Sequence, residues 1–211
     1  MECHNRLVRL VGLLGLLLAP TFPQAATEQT LLVIGDSLSS GYHMESSRSW
    51  PALLERRLHE SGRAIRVINA SRKGDTSNVG RDRLPGALNQ YRPDWVIIEL
   101  GANDGLRGQS LEQLRRNLGE MVALSRASGA TPILVGTRLP PDVDPEYARR
   151  YSSVFVSAAR DTGSALVPSL METVIDHPDL FLWDHLHPSA EAQPRLLDVV
   201  WPVLDAALPR Q

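Results

Sequence analysis

The sequence predicts an α/β protein in which one parallel β-sheet carries helices on both faces. Short aliphatic runs rich in β-branched residues alternate along the chain with amphipathic stretches of roughly 12 to 18 residues. This alternation is typical of β–α–β units, whose strands lie parallel under a layer of helices. Because such crossovers are right-handed, the loops that follow the strands should all lie at one edge of the sheet.

The first strand, residues 31–34, is an aliphatic run that Gly35 ends. The first helix begins near Pro51, because the first turn of a helix does not need the N–H that proline lacks, and it ends at Gly62. Residues 65–68 are predicted to form the second strand. These elements make up the first strand–helix–strand unit.

A polar loop, residues 72–78, leads into the second helix, which runs to about Tyr91. Residues 95–100 form the third strand, and since this run is the most apolar it should lie near the centre of the sheet. Residues 101–105 are predicted to be a loop. Ser110 then caps the third helix, whose apolar side chains share one face.

Gly129 ends that helix, and residues 133–135 form the fourth strand. A loop that prolines stiffen spans residues 138–145. The fourth helix is predicted over residues 146–161, and residues 165–167 form a short fifth strand.

The pattern of residues 171–182 is ambiguous, so no element is assigned there. The final helix is predicted over residues 190–207. Pro194 and Pro202 lie within its pattern and are expected to kink or split it, because the interior of a helix needs the N–H that proline lacks.

The composition is that of one ordinary globular domain. The chain has 211 residues, of which 43% are hydrophobic and 22% are charged. Its formal net charge is −2, and it has no basic tract with interleaved aromatic residues, so no nucleic-acid partner is expected. We expect a monomer.

Residues 1–26 are predicted to be a secretory signal peptide. Arg6 and Arg9 precede an apolar run over residues 10–19, and small residues follow at Ala25 and Ala26. The run is shorter than the roughly 20 apolar residues that a membrane-spanning helix needs. An uncleaved N-terminal anchor is the alternative interpretation.

Residues 27–211 are then a single domain with no stable membrane span, and we expect this domain to be periplasmic or secreted. Cleavage removes Cys3, the only cysteine, so the mature chain has no thiol and no disulfide. This lack of thiols is compatible with an oxidising compartment.

Polar residues that can support acyl transfer follow several of the predicted strands. Ser37 comes directly after the first strand, at the carboxyl edge where ligands bind in open α/β sheets. Asp184 and His187 can serve as the orienting group and the base, because a carboxylate three residues before a histidine on a tight turn can reach the ring Nδ1–H. Gly74 and Asn103 can supply N–H donors for an oxyanion.

In combination these residues resemble the four sequence blocks of the GDSL, or SGNH, hydrolases. The blocks stand here as Gly-Asp-Ser-Leu with Ser37, the loop glycine Gly74, Gly-Ala-Asn-Asp with Asn103, and Asp-His-Leu-His with Asp184 and His187.

The chain is most similar to one branch of that family, the periplasmic multifunctional thioesterase I/lysophospholipase L1/arylesterase group. The similarity rests on residues 35–42, residues 69–77 and residues 99–108, and it extends from about Thr30 to the last helix. It implies a flavodoxin-like three-layer α/β/α fold with a five-stranded parallel sheet.

The resemblance also implies the role of each site residue. Ser37 would be the nucleophile, His187 the base and Asp184 the group that orients the base. The amides of Ser37 and Gly74 and the side-chain amide of Asn103 would form the oxyanion hole. The implied activity is hydrolysis of acyl esters and thioesters through an acyl-enzyme, without a cofactor, on small-molecule substrates that include lysophospholipids.

The acyl chain is expected to lie in a groove formed by the loops after strands one, three and four, with Leu106, Leu139 and Pro140 in its lining. A carbohydrate O-deacetylase with the same catalytic residues is the alternative within the family.

Two further interpretations lie outside this chemistry. A flavodoxin-like domain can use residues 35–41 as a non-catalytic anion-binding loop, but Asp184, His187 and Asn103 then have no role. The spacing of His185 and His187 can suit a metal, but no further ligands accompany them, so no metal is expected.

Overall fold

The computed structural model describes residues 29–209, so the predicted signal peptide lies outside the described part of the chain. Five parallel strands form one sheet in the order β2-β1-β3-β4-β5. This order and the helices on both faces confirm the predicted flavodoxin-like α/β/α fold. The strands are β1 (Gln29–Gly35), β2 (Ile65–Asn69), β3 (Trp95–Glu99), β4 (Thr131–Val135) and β5 (Ala165–Val167).

Six α-helices connect or follow these strands. They are α1 (Trp50–Glu60), α2 (Ser77–Tyr91), α3 (Ala102–Leu106), α4 (Leu111–Ala127), α5 (Pro145–Thr162) and α6 (Gln193–Ala207). The predicted cap of α4 is confirmed, since the Ser110 hydroxyl accepts a hydrogen bond from the N–H of Gln113.

Two local predictions were wrong. The segment predicted as a loop after β3 contains the one-and-a-half-turn helix α3, which is too short to show a period in the sequence. The final helix begins at Gln193, so Pro194 lies in its first turn, where no N–H is needed, and the helix is one element through Pro202.

The segment between β5 and α6, for which no regular element was predicted, consists of turns and one short 3₁₀ helix, Pro178–Leu180. An isolated antiparallel bridge between Phe181 and Pro188 closes the loop that follows. This loop carries Asp184 and His187.

The sheet separates two hydrophobic cores, because successive side chains of a strand point to opposite faces. On one face, Leu31 and Val33 pack with buried residues of α1 and α6. On the other face, Leu32 and Ile34 pack with α2, α4 and α5. The strand that precedes Ser37 is therefore buried on both faces, as strands of parallel sheets are.

None of the helices within residues 29–209 is long and apolar enough to cross a lipid bilayer.

Two glycines of α2 provide a test of how this helix is seated against the sheet. A Cβ at Gly80 would lie 2.1 Å from Cδ1 of the buried Leu100, whereas a Cβ at Gly86 would meet nothing within 4 Å. We expect Gly80→Ala to lower the free energy of unfolding by about 1–3 kcal/mol through overpacking. Gly86→Ala should raise it by about 0.5–1 kcal/mol through helix propensity. Urea unfolding of both variants checks this, and equal effects would contradict the packing described here.

Candidate active site

The candidate site lies at the carboxyl edge of the sheet, where the strand order reverses between β1 and β3. Ser37 follows β1, and Asn103 lies in α3 directly after β3. Gly74 lies in the loop between β2 and α2, and the Asp184–His187 loop precedes α6. Open α/β sheets form their ligand crevice at this switch point, so the topology brings the predicted residues to one place.

Ser37, His187 and Asp184 form a continuous hydrogen-bonded chain. His187 Nε2 lies 2.9 Å from the Ser37 hydroxyl oxygen, and His187 Nδ1 lies 2.7 Å from Asp184 Oδ2. Both distances are those of good hydrogen bonds. The structure thus brings Ser37 into contact with a histidine that lies 150 positions away in the sequence.

Backbone hydrogen bonds hold the loop that carries the histidine and the aspartate. The N–H of Leu182 donates to the carbonyl of His187 at 2.8 Å, and the N–H of Ser189 donates to the carbonyl of Leu180 at 2.7 Å. Asp184 Oδ1 also accepts from the backbone N–H groups of Leu186 and His187, each at 3.0 Å. The carboxylate therefore fixes both the turn and the imidazole.

These hydrogen bonds also keep Asp184 ionised. Burial opposes ionisation, but the hydrogen bonds from the His187 N–H, the His187 ring and the Leu186 N–H outweigh it and lower the pKa of Asp184 to about 2. The charge that would stabilise an imidazolium is thus present at neutral pH.

Two backbone N–H groups beside the serine are available to a ligand. Those of Ser37 and Gly74 donate no hydrogen bond to any other residue within 29–209. Gly74 adopts a φ of 82°, a left-handed conformation that favours glycine. Asn103 lines the same cavity, and its Nδ2 donates to the carbonyl of Asp75 at 3.0 Å and to Asp36 Oδ2 at 3.2 Å.

Sequence reasoning missed the buried carboxyl groups behind these donors. Asp36 and Glu99 are fully buried, and Glu99 Oε2 accepts a 2.7 Å hydrogen bond from the Ser39 hydroxyl. Burial raises the pKa of Asp36 to about 7, although hydrogen bonds from Leu38 and Asn103 favour its charged form. Burial and the nearby Asp36 raise the pKa of Glu99 well above its usual value. The sequence did contain a signal for a buried carboxyl group, because Glu99 ends the most apolar strand.

A second missed network joins α2, α3 and α4 beneath the site. Asp104, the residue after Asn103, accepts from the Ser77 N–H at 2.8 Å and from the Ser77 hydroxyl at 2.5 Å. The Asn117 side chain donates to the same hydroxyl at 2.8 Å. This network fixes the loop that carries Gly74 relative to the helix that carries Asn103.

Arg83 of α2 makes a third set of contacts. Its guanidinium forms a 2.6 Å ion pair with Asp75 and donates to the carbonyls of Ala70 at 2.6 Å and Gly35 at 3.2 Å. The spacing of Arg83 from Ala70 and Gly35 in the sequence does not indicate that its guanidinium contacts their carbonyls.

Tyr42 packs against the histidine from the solvent side. Its ring centroid lies 4.3 Å from that of His187, and its hydroxyl accepts a 2.8 Å hydrogen bond from Lys73 Nζ. Neither residue belongs to the predicted site.

A cavity of about 350 Å³ opens beside Ser37 and His187. All three predicted groove residues, Leu106, Leu139 and Pro140, line it. Further apolar lining comes from Leu38, Pro141, Met171, Ile175, Pro178 and Phe181. The site therefore joins a polar cluster to a largely apolar pocket, as small-molecule sites commonly do.

No cluster of three or more histidine, cysteine, aspartate or glutamate residues suited to a metal occurs within residues 29–209. His187 directs its two ring nitrogens at Ser37 and Asp184, so neither nitrogen is free for a metal.

Comparison with known proteins agrees with this geometry. A model of the GDSL-like lipase/acylhydrolase family matches residues 33–194. Esterase TesA of Pseudomonas aeruginosa is 44% identical over 203 residues, which cover 96% of this chain and 100% of that protein. Thioesterase 1/protease 1/lysophospholipase L1 of Escherichia coli is 40% identical over 175 residues, which cover 83% of each chain.

Solved structures show the same similarity. The crystal structure of TesA has a TM-score of 0.84 and 46% identity, over 85% of this chain and 100% of that chain. The psychrotrophic esterase EstA from Pseudoalteromonas, solved with monoethylphosphonate as inhibitor, has a TM-score of 0.80 and 35% identity, over 85% and 98%.

A flavodoxin-like sheet with a Ser–His–Asp cluster at its switch point defines a serine hydrolase. Its sequence blocks and its relatives identify the family more closely. The chain belongs to the GDSL-like lipase/acylhydrolase family, and it is a carboxylic ester hydrolase.

The buried Glu99 predicts a pH dependence of stability. Its raised pKa means that the folded state binds this proton more tightly than the unfolded chain. The wild-type free energy of unfolding therefore loses this contribution as the pH rises above the usual carboxyl value of 4.5. Glu99→Gln removes the titrating group and retains an acceptor for Ser39.

We expect the stability of Glu99→Gln relative to wild type to increase as the pH rises from that value, measured by urea unfolding at several pH values. Glu120→Gln, at an exposed glutamate, is the matched control and should show no such trend. A difference between Glu99→Gln and wild type that does not change with pH would contradict the buried carboxyl.

Proposed function

We propose that this protein hydrolyses acyl esters and thioesters with Ser37 as nucleophile, His187 as general base and Asp184 as the residue that orients the base. The observation that carries the assignment is the unbroken chain of hydrogen bonds from the Ser37 hydroxyl through the imidazole to an ionised carboxylate. This is the arrangement that activates a serine hydroxyl.

Acylation begins when His187 Nε2 removes the proton of the Ser37 hydroxyl while the oxygen attacks the substrate carbonyl. The tetrahedral intermediate then collapses, and the imidazolium gives its proton to the departing alcohol or thiol. Water takes the place of the leaving group, His187 removes one of its protons, and hydrolysis of the acyl-enzyme releases the acid and restores the serine. Asp184 stabilises the imidazolium in both half-reactions.

The negative charge of the tetrahedral intermediates would be stabilised by the N–H groups of Ser37 and Gly74 and by Asn103 Nδ2. The two backbone groups have no partner within residues 29–209, so they need no rearrangement to bind an oxyanion. Asn103 donates to Asp36 through a longer bond than to Asp75, and it would share this N–H with the oxyanion.

The substrate class follows from the cavity beside the nucleophile. Leu106, Leu139 and Pro140 provide apolar surface that suits an acyl chain and offers little to the hydroxyl groups of an acetylated sugar. The relatives are named esterase, arylesterase and thioesterase/lysophospholipase. We therefore place aryl esters, acyl thioesters and lysophospholipids among the substrates, ahead of carbohydrate acetates.

The protein would act as a monomer in the periplasm or after secretion. Arg6, Arg9 and the apolar run over residues 10–19 support an exported precursor whose residues 1–26 are removed.

Replacement of the nucleophile tests the reaction directly. Ser37→Ala should abolish hydrolysis of p-nitrophenyl esters, an acyl thioester and a lysophospholipid, because it removes the hydroxyl that His187 would activate. An alkylphosphonate probe should label the wild type at Ser37 and leave the variant unlabelled, as mass spectrometry of peptides would show. An unchanged thermal unfolding midpoint controls for folding. Retained hydrolysis, or labelling at another residue, would rule out the proposed nucleophile.

Asn103→Ala should lower kcat by about 10²- to 10³-fold and change KM little, because an oxyanion donor acts mainly in the transition state. Steady-state kinetics with a p-nitrophenyl ester measures both constants. Asn89→Ala, which removes an exposed amide on α2, is the matched control. Turnover near that of wild type would remove Asn103 from the oxyanion hole.

A further inference from the structure

Large apolar side chains are exposed at the active-site cavity and in the loop that carries Asp184 and His187. Trp183, which immediately precedes Asp184, is 77% exposed, the highest value among the large hydrophobic residues that the structure describes. Leu106, which lines the cavity, is 41% exposed. Tryptophan is highly buried on average in globular domains, so an exposure this large is unusual.

Cations lie at the same edge. Arg72 and Lys73 are consecutive exposed residues in the loop before α2, and Arg107 follows α3. None of the three forms an ion pair with a carboxylate of the described chain, and the cavity lining has no aspartate or glutamate. The chain as a whole carries a formal charge of −2, so this positive edge is a local feature that opposes the net charge.

We propose that this edge is a docking rim, formed by Arg72, Lys73, Leu106, Arg107 and Trp183, that binds an anionic phospholipid surface. A tryptophan ring suits the boundary between headgroups and acyl chains, because its large apolar body is combined with one polar N–H. Lysine and arginine near such a surface are attracted by its negative potential. Charge complementarity therefore favours an anionic lipid surface over a neutral one.

The position of the rim gives this contact a consequence for catalysis. Leu106 and three residues of the loop that carries Trp183, namely His185, Leu186 and His187, line the cavity. A docked enzyme would therefore present its apolar pocket to the lipid. An acyl chain could then move from the lipid surface to Ser37 without crossing water. Short, water-soluble esters do not need this step. A variant that impairs only docking should therefore hydrolyse them normally and be slower only on lipid substrates.

Vesicle binding tests the proposal in the Ser37→Ala background, where lipid is not consumed. The vesicles are phosphatidylcholine with or without phosphatidylglycerol, and binding is measured by co-flotation and by tryptophan emission. Trp50 and Trp95 are buried and Trp201 is partly buried, so a blue shift on binding reports mainly Trp183. We expect binding and a blue shift with phosphatidylglycerol, and a marked loss of both in high salt.

Variants of the rim then locate the contact. Trp183→Ala should weaken binding by roughly ten-fold through lost apolar contact, and Arg72→Gln by roughly five-fold through lost charge. Val156→Ala and Arg160→Gln, at exposed positions of α5, are the matched controls and should bind as the parent does. The apolar run over residues 10–19 can bind lipid by itself, so the readout is the difference among variants of the same chain.

With Ser37 restored, Trp183→Ala and Arg72→Gln should hydrolyse a short p-nitrophenyl ester at the wild-type rate. They should be slower on a lysophospholipid presented in anionic vesicles. Three results would overturn the docking rim: absence of binding to anionic vesicles, equal effects of rim and control variants, or equal effects of Arg72→Gln on neutral and anionic vesicles. If the wild type did not hydrolyse the short p-nitrophenyl ester, that result would instead contradict the proposed function.

Discussion

The ion pair between Arg83 and Asp75 fixes the relative positions of the two loops on which the site depends. The two side chains are only 15% and 11% exposed, and breaking a buried pair of this kind commonly costs about 3–5 kcal/mol. The same guanidinium donates to the carbonyl of Gly35, two residues before Ser37, while Asp75 directly follows Gly74. One side chain of α2 thus connects the turn that carries Ser37 to the loop that carries Gly74.

The site contains more buried carboxyl groups than its chemistry alone would require. Asp36, Glu99 and Asp104 are buried close to the place where an oxyanion would form. Charged forms of all three would oppose that oxyanion, and burial reduces the conflict because it favours the neutral forms of Asp36 and Glu99. Asp36 and Asp104 hold Asn103 and the start of α2 in place, whereas the buried Glu99 lowers the free energy of unfolding at higher pH.

The strands, the long helices and the residues that meet at the sheet edge could be predicted because each has a local signal. β-Branched runs marked the strands, and Ser37, Gly74, Asn103 and the Asp184–His187 pair stand next to strand ends or in a tight turn. The missed features have no local signal. Whether Pro194 lies inside a helix depends on where the chain leaves the preceding turn, and the contacts of Arg83 with two strand-end carbonyls exist only after the sheet has formed.

The loop between Leu180 and Ser189 links surface and chemistry. Its backbone hydrogen bonds fix the positions of Asp184 and His187. The same bonds hold the exposed Trp183, which immediately precedes Asp184. Ring contacts run inward from Trp183 to His43 at 6.3 Å, from His43 to Tyr42 at 4.2 Å, and from Tyr42 to His187 at 4.3 Å. A contact with Trp183 at the tip of this loop need not displace the imidazole, because the Asp184 carboxylate accepts hydrogen bonds from the N–H groups of Leu186 and His187 and so fixes the turn.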